Sequence, residues 1–348
     1  MKPRLAVFEL HHLGDAVLAL PFLRGAMNRY EPLVVCHETV AEFLSRALPE
    51  VPSLPVSGFW PLALAEVRTR LRLNARDAAA CVWADPRAHA LMLASGAGVR
   101  AGFAVNARNF LAPSIPWRAR RLAAGKLLVR GIEILTQRPL LTPPLEKAIP
   151  SQHQLSSWKQ LADSLGFAPD DSLPWIAGTA HRQRAHGDPP EFLLHPGGRL
   201  PTKRWDVERF NEVLRVFFAA RNIPVKIVAV QGEPCPQPCA PGQTVVRTES
   251  FTELIRLVSS VDAVLANDSF PAHLAAALGK PVAAIFGSGD PAWFSPFANR
   301  DHVISAAVCP HRPCVDRCLM PARICLEAVT VPSVCSVLER INSELSKR

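Results

Sequence analysis

Short apolar runs alternate with turn residues and helical patterns along the chain. RLAVFEL at 4–10 is nearly continuous in apolar residues, turns at HHLGD, and leads into an apolar-periodic stretch from Asp15 to Arg29. PLVVCHE (32–38), SLPVS (53–57), AAACVWAD (78–85) and VRAGFAV (99–105) repeat the apolar run. Helical patterns lie between the earlier ones, TVAEFLSRAL at 39–48 and PLALAEVRTRLRLN at 61–74. Strands that do not alternate between apolar and polar positions are buried on both faces. Separated by helices, they predict a parallel sheet covered on both sides.

The rhythm then restarts. Residues 174–190, PWIAGTAHRQRAHGDPP, have the composition of a linker. EFLLHPGG (191–198) is a strand running into a glycine turn, and DVERFNEVLRVFFAARN (206–222) is an amphipathic helix. PVKIVAVQG (224–232), DAVLAND (262–268) and PVAAIFG (281–287) read as strands, with FTELIRLVSS (251–260) a helix. The helix between the last two strands starts near Ser269, with Pro271 in its first turn, where a missing N–H costs little. Residues 331–345 close the chain as a helix. The expected class is α/β, as two tandem doubly wound halves with a cleft between them. The expected boundaries are 1–173 for the first domain, 174–190 for the linker, 191–330 for the second domain and 331–348 for the closing helix.

Length and charge narrow the picture. A chain of 348 residues fits two domains at about 150 residues each. With 49% hydrophobic residues and a net charge of +9, global disorder is excluded. No apolar run reaches the roughly 18 residues a membrane span needs. Glu9 and Asp15 interrupt the N-terminus where a signal peptide is apolar, so a cytoplasmic protein is expected. Nine cysteines are too sparse for a disulfide scaffold. The excess positive charge lies in the first half. Between Asp85 and Glu133 stand Arg87, Arg100, Arg108, Arg118, Arg120, Arg121, Lys126 and Arg130, with no acid. Such a run favours an anionic partner, a phosphorylated glycolipid or a membrane surface, with a plain solvated face as the alternative. Few aromatics interleave it, so stacking on nucleic-acid bases has little support.

Three turns carry candidate chemistry. The first strand is followed by HHLGD and not by a three-glycine dinucleotide fingerprint, no phosphate-loop consensus occurs, and Gly287-Ser288-Gly289 is an isolated GxG. Nicotinamide chemistry and ATP hydrolysis are disfavoured accordingly. Asp15 opens a helix at the end of a strand. It reads either as an N-cap, worth about 1 kcal/mol, or as a carboxylate at the sheet edge where α/β ligands bind. HPGGRLPTKRW (195–205) places glycine N–H groups, the Thr202 hydroxyl and the Lys203 charge between a strand and a helix, as an anion site requires. NDSFPAHLAAALGKP (267–281) puts Asn267, Asp268 and Ser269 at a strand end and helix start, with His273 one turn in.

In order and spacing, HHLGDAVLALPFLRGA, HPGGRLPTKRW and NDSFPAHLAAALGKPVAAIFGSGDP resemble glycosyltransferase family 9, the ADP-heptose:lipopolysaccharide heptosyltransferases. The resemblance runs from about residue 4 to 345 and is strongest over 195–296. It implies a GT-B fold: two Rossmann-like domains facing each other across a cleft, the acceptor on the first and the nucleotide-sugar donor on the second. It further implies an inverting, metal-independent transfer of heptose from ADP-heptose to an anionic glycolipid of the lipopolysaccharide core, made in peripheral contact with the inner membrane. Carried over by residue, Asp15 matches the general base and Lys203, beside Thr202, the contact to the donor phosphates. Asp268 matches the acid at the donor sugar, and Ser269 and His273 fall in the diphosphate-binding helix start. Glu233, in VAVQGEP, matches the acid that holds the ribose. Arg118, Arg120 and Arg121 are the expected acceptor contacts. Two departures stand out: Phe270, where many members have glycine, and His11-His12, where small residues are common and where a histidine either tunes Asp15 or packs, packing being preferred.

The mechanism implied is in-line attack by an acceptor hydroxyl whose proton goes to Asp15. Lys203 and the helix start at Ser269 stabilise the leaving diphosphate without a metal. No cofactor is required for catalysis. Cys309, Cys314, Cys318 and Cys325 fall within 17 residues as C-x4-C-x3-C-x6-C. Four thiolates suffice for a structural zinc or iron ion, and a cluster of reduced thiols on a tight loop is the alternative. Two other functions fit the fold: transfer from another nucleotide sugar to a polysaccharide or protein, and non-catalytic binding of a sugar nucleotide.

Overall fold

A computed structural model describes residues 1–10, 12–58, 60–110, 116–149, 152–176, 188–314 and 317–347. The chain divides into two units, Met1–Ser172 and Leu173–Arg348.

The first unit is built on six strands: β1 (Arg4–Glu9), β2 (Glu31–Cys36), β3 (Ser53–Pro55), β4 (Ala78–Cys81), β5 (Val99–Phe103) and β6 (Pro144–Leu145). They pair in parallel in the order β3-β2-β1-β4-β5-β6. Leu5–Phe8 of the central β1 are wholly buried, as a strand covered on both faces must be. The helices Leu13–Ala26 and Gln154–Leu165 pack side by side, with the Phe22 ring 4.7 Å from Trp158 and 4.9 Å from Phe167. Gly25 is obligatory there, because a Cβ would lie 2.1 Å from the Ala168 carbonyl oxygen.

The second unit repeats the plan with β7 (Phe192–His195), β8 (Val225–Val228), β9 (Gln243–Val246), β10 (Ala263–Asn267), β11 (Val282–Phe286) and β12 (Val303–Ser305). Their order is β12-β11-β10-β7-β8-β9, again all parallel. The closing helix Val331–Ser346 buries Val334, Leu338 and Ile341 in this unit's core. Trp175 and Ile176, at the start of the expected linker, are buried, and the Trp175 ring sits 4.9 Å from Phe297. They belong to the second unit because burying an indole outweighs the breaker residues around it. Residues 177–187 of that stretch lie outside the described residues.

Several elements differ from the pattern reading. The first helix begins at Leu13 with His12 as its N-cap, so Asp15 is a first-turn residue and not the cap. The helix expected at 61–74 is regular only over Trp60–Glu66. It then widens into a π-wound turn at Val67–Leu71, closed by Arg72 at φ 44°. The 206–222 helix likewise passes from Val207–Val213 to a π-wound turn at Leu214–Phe218. That turn lets the adjacent Phe217 and Phe218 both reach the core, their rings 5.0 Å apart. Strands β6, β9 and β12 and the helix Pro116–Thr136 carry no clear pattern of their own, whereas the helix Gln154–Leu165 carries an apolar stripe, Trp158, Leu161, Ala162 and Leu165, that the pattern reading leaves out. No helix among the described residues is long and apolar enough to cross a membrane.

Candidate active site

Parallel strands end at one edge of their sheet, and α/β folds bind ligands at that carboxyl edge. In the second unit four loops leave this edge, after β7, β8, β10 and β11. Asn267, fully buried at the end of β10, ties two of them together. Its Nδ2 donates to the carbonyls of Pro196 (2.5 Å) and Gly197 (3.3 Å), and its Oδ1 accepts from Trp205 N (3.1 Å). The loop after β7 is thereby fixed against β10. It makes one short 3-10 turn, Pro201–Lys203, and the Thr202 carbonyl accepts from Ser288 N in the loop after β11 (3.4 Å).

This scaffold aims Lys203 at Asp268. Lys203 Nζ lies 2.7 Å from Asp268 Oδ2, with the carboxylate side chain 2% exposed and the lysine 20%. The ammonium is therefore the partner of a carboxylate oxygen that is itself closed to solvent. Gly289 comes so close that a Cβ would lie 2.2 Å from the same oxygen. Ser269 is the N-cap of the helix Phe270–Ala277, but its hydroxyl donates backwards to the Asn267 carbonyl (3.1 Å) and does not cap the helix. His273 is buried on that helix. The Phe270 ring meets Phe251 edge-on at 5.8 Å.

Glu233, in the loop after β8, closes the group from the other side. Its carboxylate accepts from Gly198 N (3.3 Å) and pairs with Arg204 Nη2 (2.7 Å). Thr202, Lys203, Glu233, Asp268, Ser269 and His273 are thus gathered at one sheet edge. His195 ends β7 beneath this loop, and burial pushes its imidazole down to about 4, so it is neutral. Motif reasoning passes over Arg204 and notes Asn267 only as part of the strand end. Both act through the backbone or a carboxylate partner, which only the assembled loops reveal.

In the first unit Asp15 lies at the corresponding carboxyl edge, after β1. Its Oδ2 accepts from His12 N (3.2 Å). His12 is exposed and forms a capping box with Asp15, so it does not pack as preferred and contacts Asp15 instead; His11 lies outside the described residues. Glu9, at the end of β1, is buried beside two thiols. Burial, and then the Glu9 charge, push Cys36 up to about 12. Arg118, Arg120 and Arg121 do not form one patch. Arg118 is buried with its guanidinium 4.6 Å from the Trp117 ring, Arg121 lies over the same ring at 5.2 Å, and Arg120 points outward. Lys147, just after β6, had no sequence signal. It is buried 5.7 Å from the Phe103 ring, and burial lowers it to about 8.

The four cysteines of the 309–325 segment are neighbours in space. Burial, followed by the charges of Cys318, Cys325 and Cys309, pushes Cys314 up to about 11. Among the described residues, however, no three His, Cys, Asp or Glu side chains converge as a metal ion requires. The segment is held by Arg312, which donates to the carbonyls of Ala306 and Gly289 at 2.8 Å each.

The profile of glycosyltransferase family 9 (heptosyltransferase) matches residues 68–322. The chain belongs to glycosyltransferase family 9. Membership makes it a glycosyltransferase enzyme. Over 122 residues it is 28% identical to the lipopolysaccharide core heptosyltransferase OpsX of Haemophilus influenzae, a match that covers 33% of this chain and 35% of that protein. The chain thus spans about a third of that relative's length. Its fold is similar to E. coli heptosyltransferase WaaC with ADP, at a TM-score of 0.63, 18% identity, and 99% and 100% coverage of the two chains. It is also similar to E. coli ADP-heptose lps heptosyltransferase II, at a TM-score of 0.63, 18% identity and 99% coverage of each. At such identities these structures speak for the shared GT-B fold alone.

Proposed function

We propose that this family 9 enzyme transfers a heptose from ADP-heptose to a lipopolysaccharide core acceptor, with inversion at the anomeric carbon. The observation that carries the reading is the convergence on the second unit's carboxyl edge, where an ammonium, a buried carboxylate and a helix start come from separate stretches of chain. Lys203 and the helix start at Ser269 supply positive charge to the departing diphosphate, with the Thr202 hydroxyl as a donor beside them. Asp268 holds Lys203 in place and orients the donor sugar, Glu233 accepts from the ribose, and His273 lines the diphosphate helix. Asp15 takes the proton of the attacking acceptor hydroxyl. The chemistry routes no step through a metal. Of the three expected acceptor contacts, the exposed Arg120 and Arg121 meet the anionic groups of the acceptor, and Arg118 supports them from beneath. Because that acceptor is membrane-borne, the enzyme works in the cytoplasm, in peripheral contact with the inner membrane. The similar WaaC structure holds ADP, and the similar Haemophilus influenzae protein is named for the lipopolysaccharide core, which supports the donor and acceptor chosen.

The test is thermal unfolding with ADP, UDP, GDP and CMP in turn. Stabilisation by ADP alone is expected. The Phe270 ring, standing at the donor helix, favours one alternative, a different nucleotide sugar in the same fold. Stabilisation by UDP or GDP in place of ADP would establish that alternative, and no response to any nucleotide would refute donor binding.

A further inference from the structure

The helix Pro116–Thr136 buries only Arg118, Leu122 and Gly125. At 100° per residue, Leu127 and Ile134 stand on the opposite side, in line with the exposed Arg120 nearer the helix start, and Leu135 stands about a quarter turn round. The three apolar side chains are 73%, 67% and 85% exposed. Arg121 borders this ridge on one flank and Lys126 and Arg130 on the other, all three exposed. Glu133 is half-buried and turned inward, its Oε1 accepting from Leu140 N (3.0 Å). The outward face therefore joins an apolar crest to cationic shoulders and presents no acid.

Single exposed leucines need no explanation, but a ridge of them on one helix does. A second copy of the chain would bring the same cations face to face with no carboxylate to answer them. A nucleic acid would answer the cations but leave the leucines in water. An anionic lipid surface answers both, with acyl chains under the crest and headgroup phosphates beside the shoulders. We propose that the outward face of the Pro116–Thr136 helix docks the first unit onto an anionic lipid surface, lying in the headgroup layer with Leu127, Ile134 and Leu135 inserted. This gives the peripheral membrane contact of the proposed function its surface; it rests on that contact and not on the transfer chemistry.

The experiment is co-sedimentation of the full chain with vesicles of phosphatidylglycerol in phosphatidylcholine, and of phosphatidylcholine alone, at low and high salt. Binding to the anionic vesicles only, lost at high salt, is expected. Lys126→Gln and Arg130→Gln should each weaken partitioning about fivefold. The double change Leu127→Ser with Leu135→Ser should weaken it at least about tenfold. All four side chains are solvent-facing, and an unchanged unfolding temperature verifies that the variants are folded. Absence of wild-type binding, equal binding to phosphatidylcholine, or binding indifferent to these variants would overturn the proposal. A concentration-dependent dimer that disappears in the leucine variant would also overturn it, assigning the face to self-association. Turnover is not read, so a failure of the transfer reading would leave this result standing.

Discussion

Lys203→Ala should destabilise the second unit well before any effect on turnover is considered. The substitution strands the Asp268 carboxylate, which is 2% exposed and loses an ammonium 2.7 Å away. Breaking a buried pair by removing one partner costs about 3–5 kcal/mol. Because Lys203 is itself one-fifth exposed, the lower end applies, about 3 kcal/mol. For a unit of this size that corresponds to a fall of roughly 6–12 °C in Tm. The reverse change, Asp268→Asn, leaves an ammonium that still reaches water and should cost about 1 kcal/mol or less. The asymmetry is therefore the diagnostic quantity. Thermal unfolding of both single variants and the double variant, with and without ADP, measures it. In the wild type, ADP at a hundred times its Kd should add about 2.7 kcal/mol, and folded Lys203→Ala should lose most of that gain. Equal costs for the two single changes, or a Lys203→Ala protein that melts with the wild type and still responds to ADP, would refute the pairing and the phosphate role together.

Asp15→Asn should lower kcat by about 10²–10⁴ while leaving the ADP-induced Tm shift intact; parallel loss of both would assign Asp15 to folding through its bond to His12. Acid should weaken both units. His89 and His195 are each held by burial at about 4, below the ordinary 6.5, so the unfolded chain takes up protons that the folded chain refuses. Stability is then full above pH 6.5 and falls towards pH 4, by roughly 1.4 kcal/mol per pH unit for each histidine; urea unfolding that is flat between pH 7 and 5 would contradict this. The cysteine segment should owe its order to Arg312 and the core. Elemental analysis should find far less than one zinc or iron per chain, and chelation should leave Tm in place. Near-stoichiometric metal with a chelator-sensitive Tm would instead make Cys309, Cys314, Cys318 and Cys325 ligands.

What the sequence disclosed follows burial. β1, β2, β4, β5, β7, β8, β10 and β11 are buried almost throughout, and such strands must be written in apolar residues, so they were visible as runs. β9 is an edge strand with Thr244 and Val245 exposed, and β6 and β12 span only two and three residues, so none had a pattern to read. The Pro116–Thr136 helix was invisible for a related reason: with three of its 21 residues buried, its apolar residues face outward and mimic no packed stripe. Loops that carry polar residues at strand ends declared Lys203, Asp268 and Ser269 as candidates. Their partnership was not readable, because it depends on Asn267 clamping the loop at Pro196 and Gly197 to a strand distant in sequence. Lys147 escaped notice, and Glu9 was read only as a charge in the N-terminal stretch, because a single charged residue beside a strand looks the same whether it ends in water or in the core.

The most direct measurement is transfer itself. The enzyme is incubated with ADP-heptose and a lipopolysaccharide core glycolipid, and ADP release is followed alongside the mass and anomeric configuration of the product. The account predicts one heptose added per ADP released, with the anomeric configuration inverted. Product of retained configuration, or turnover of a UDP- or GDP-sugar with none of ADP-heptose, would contradict it.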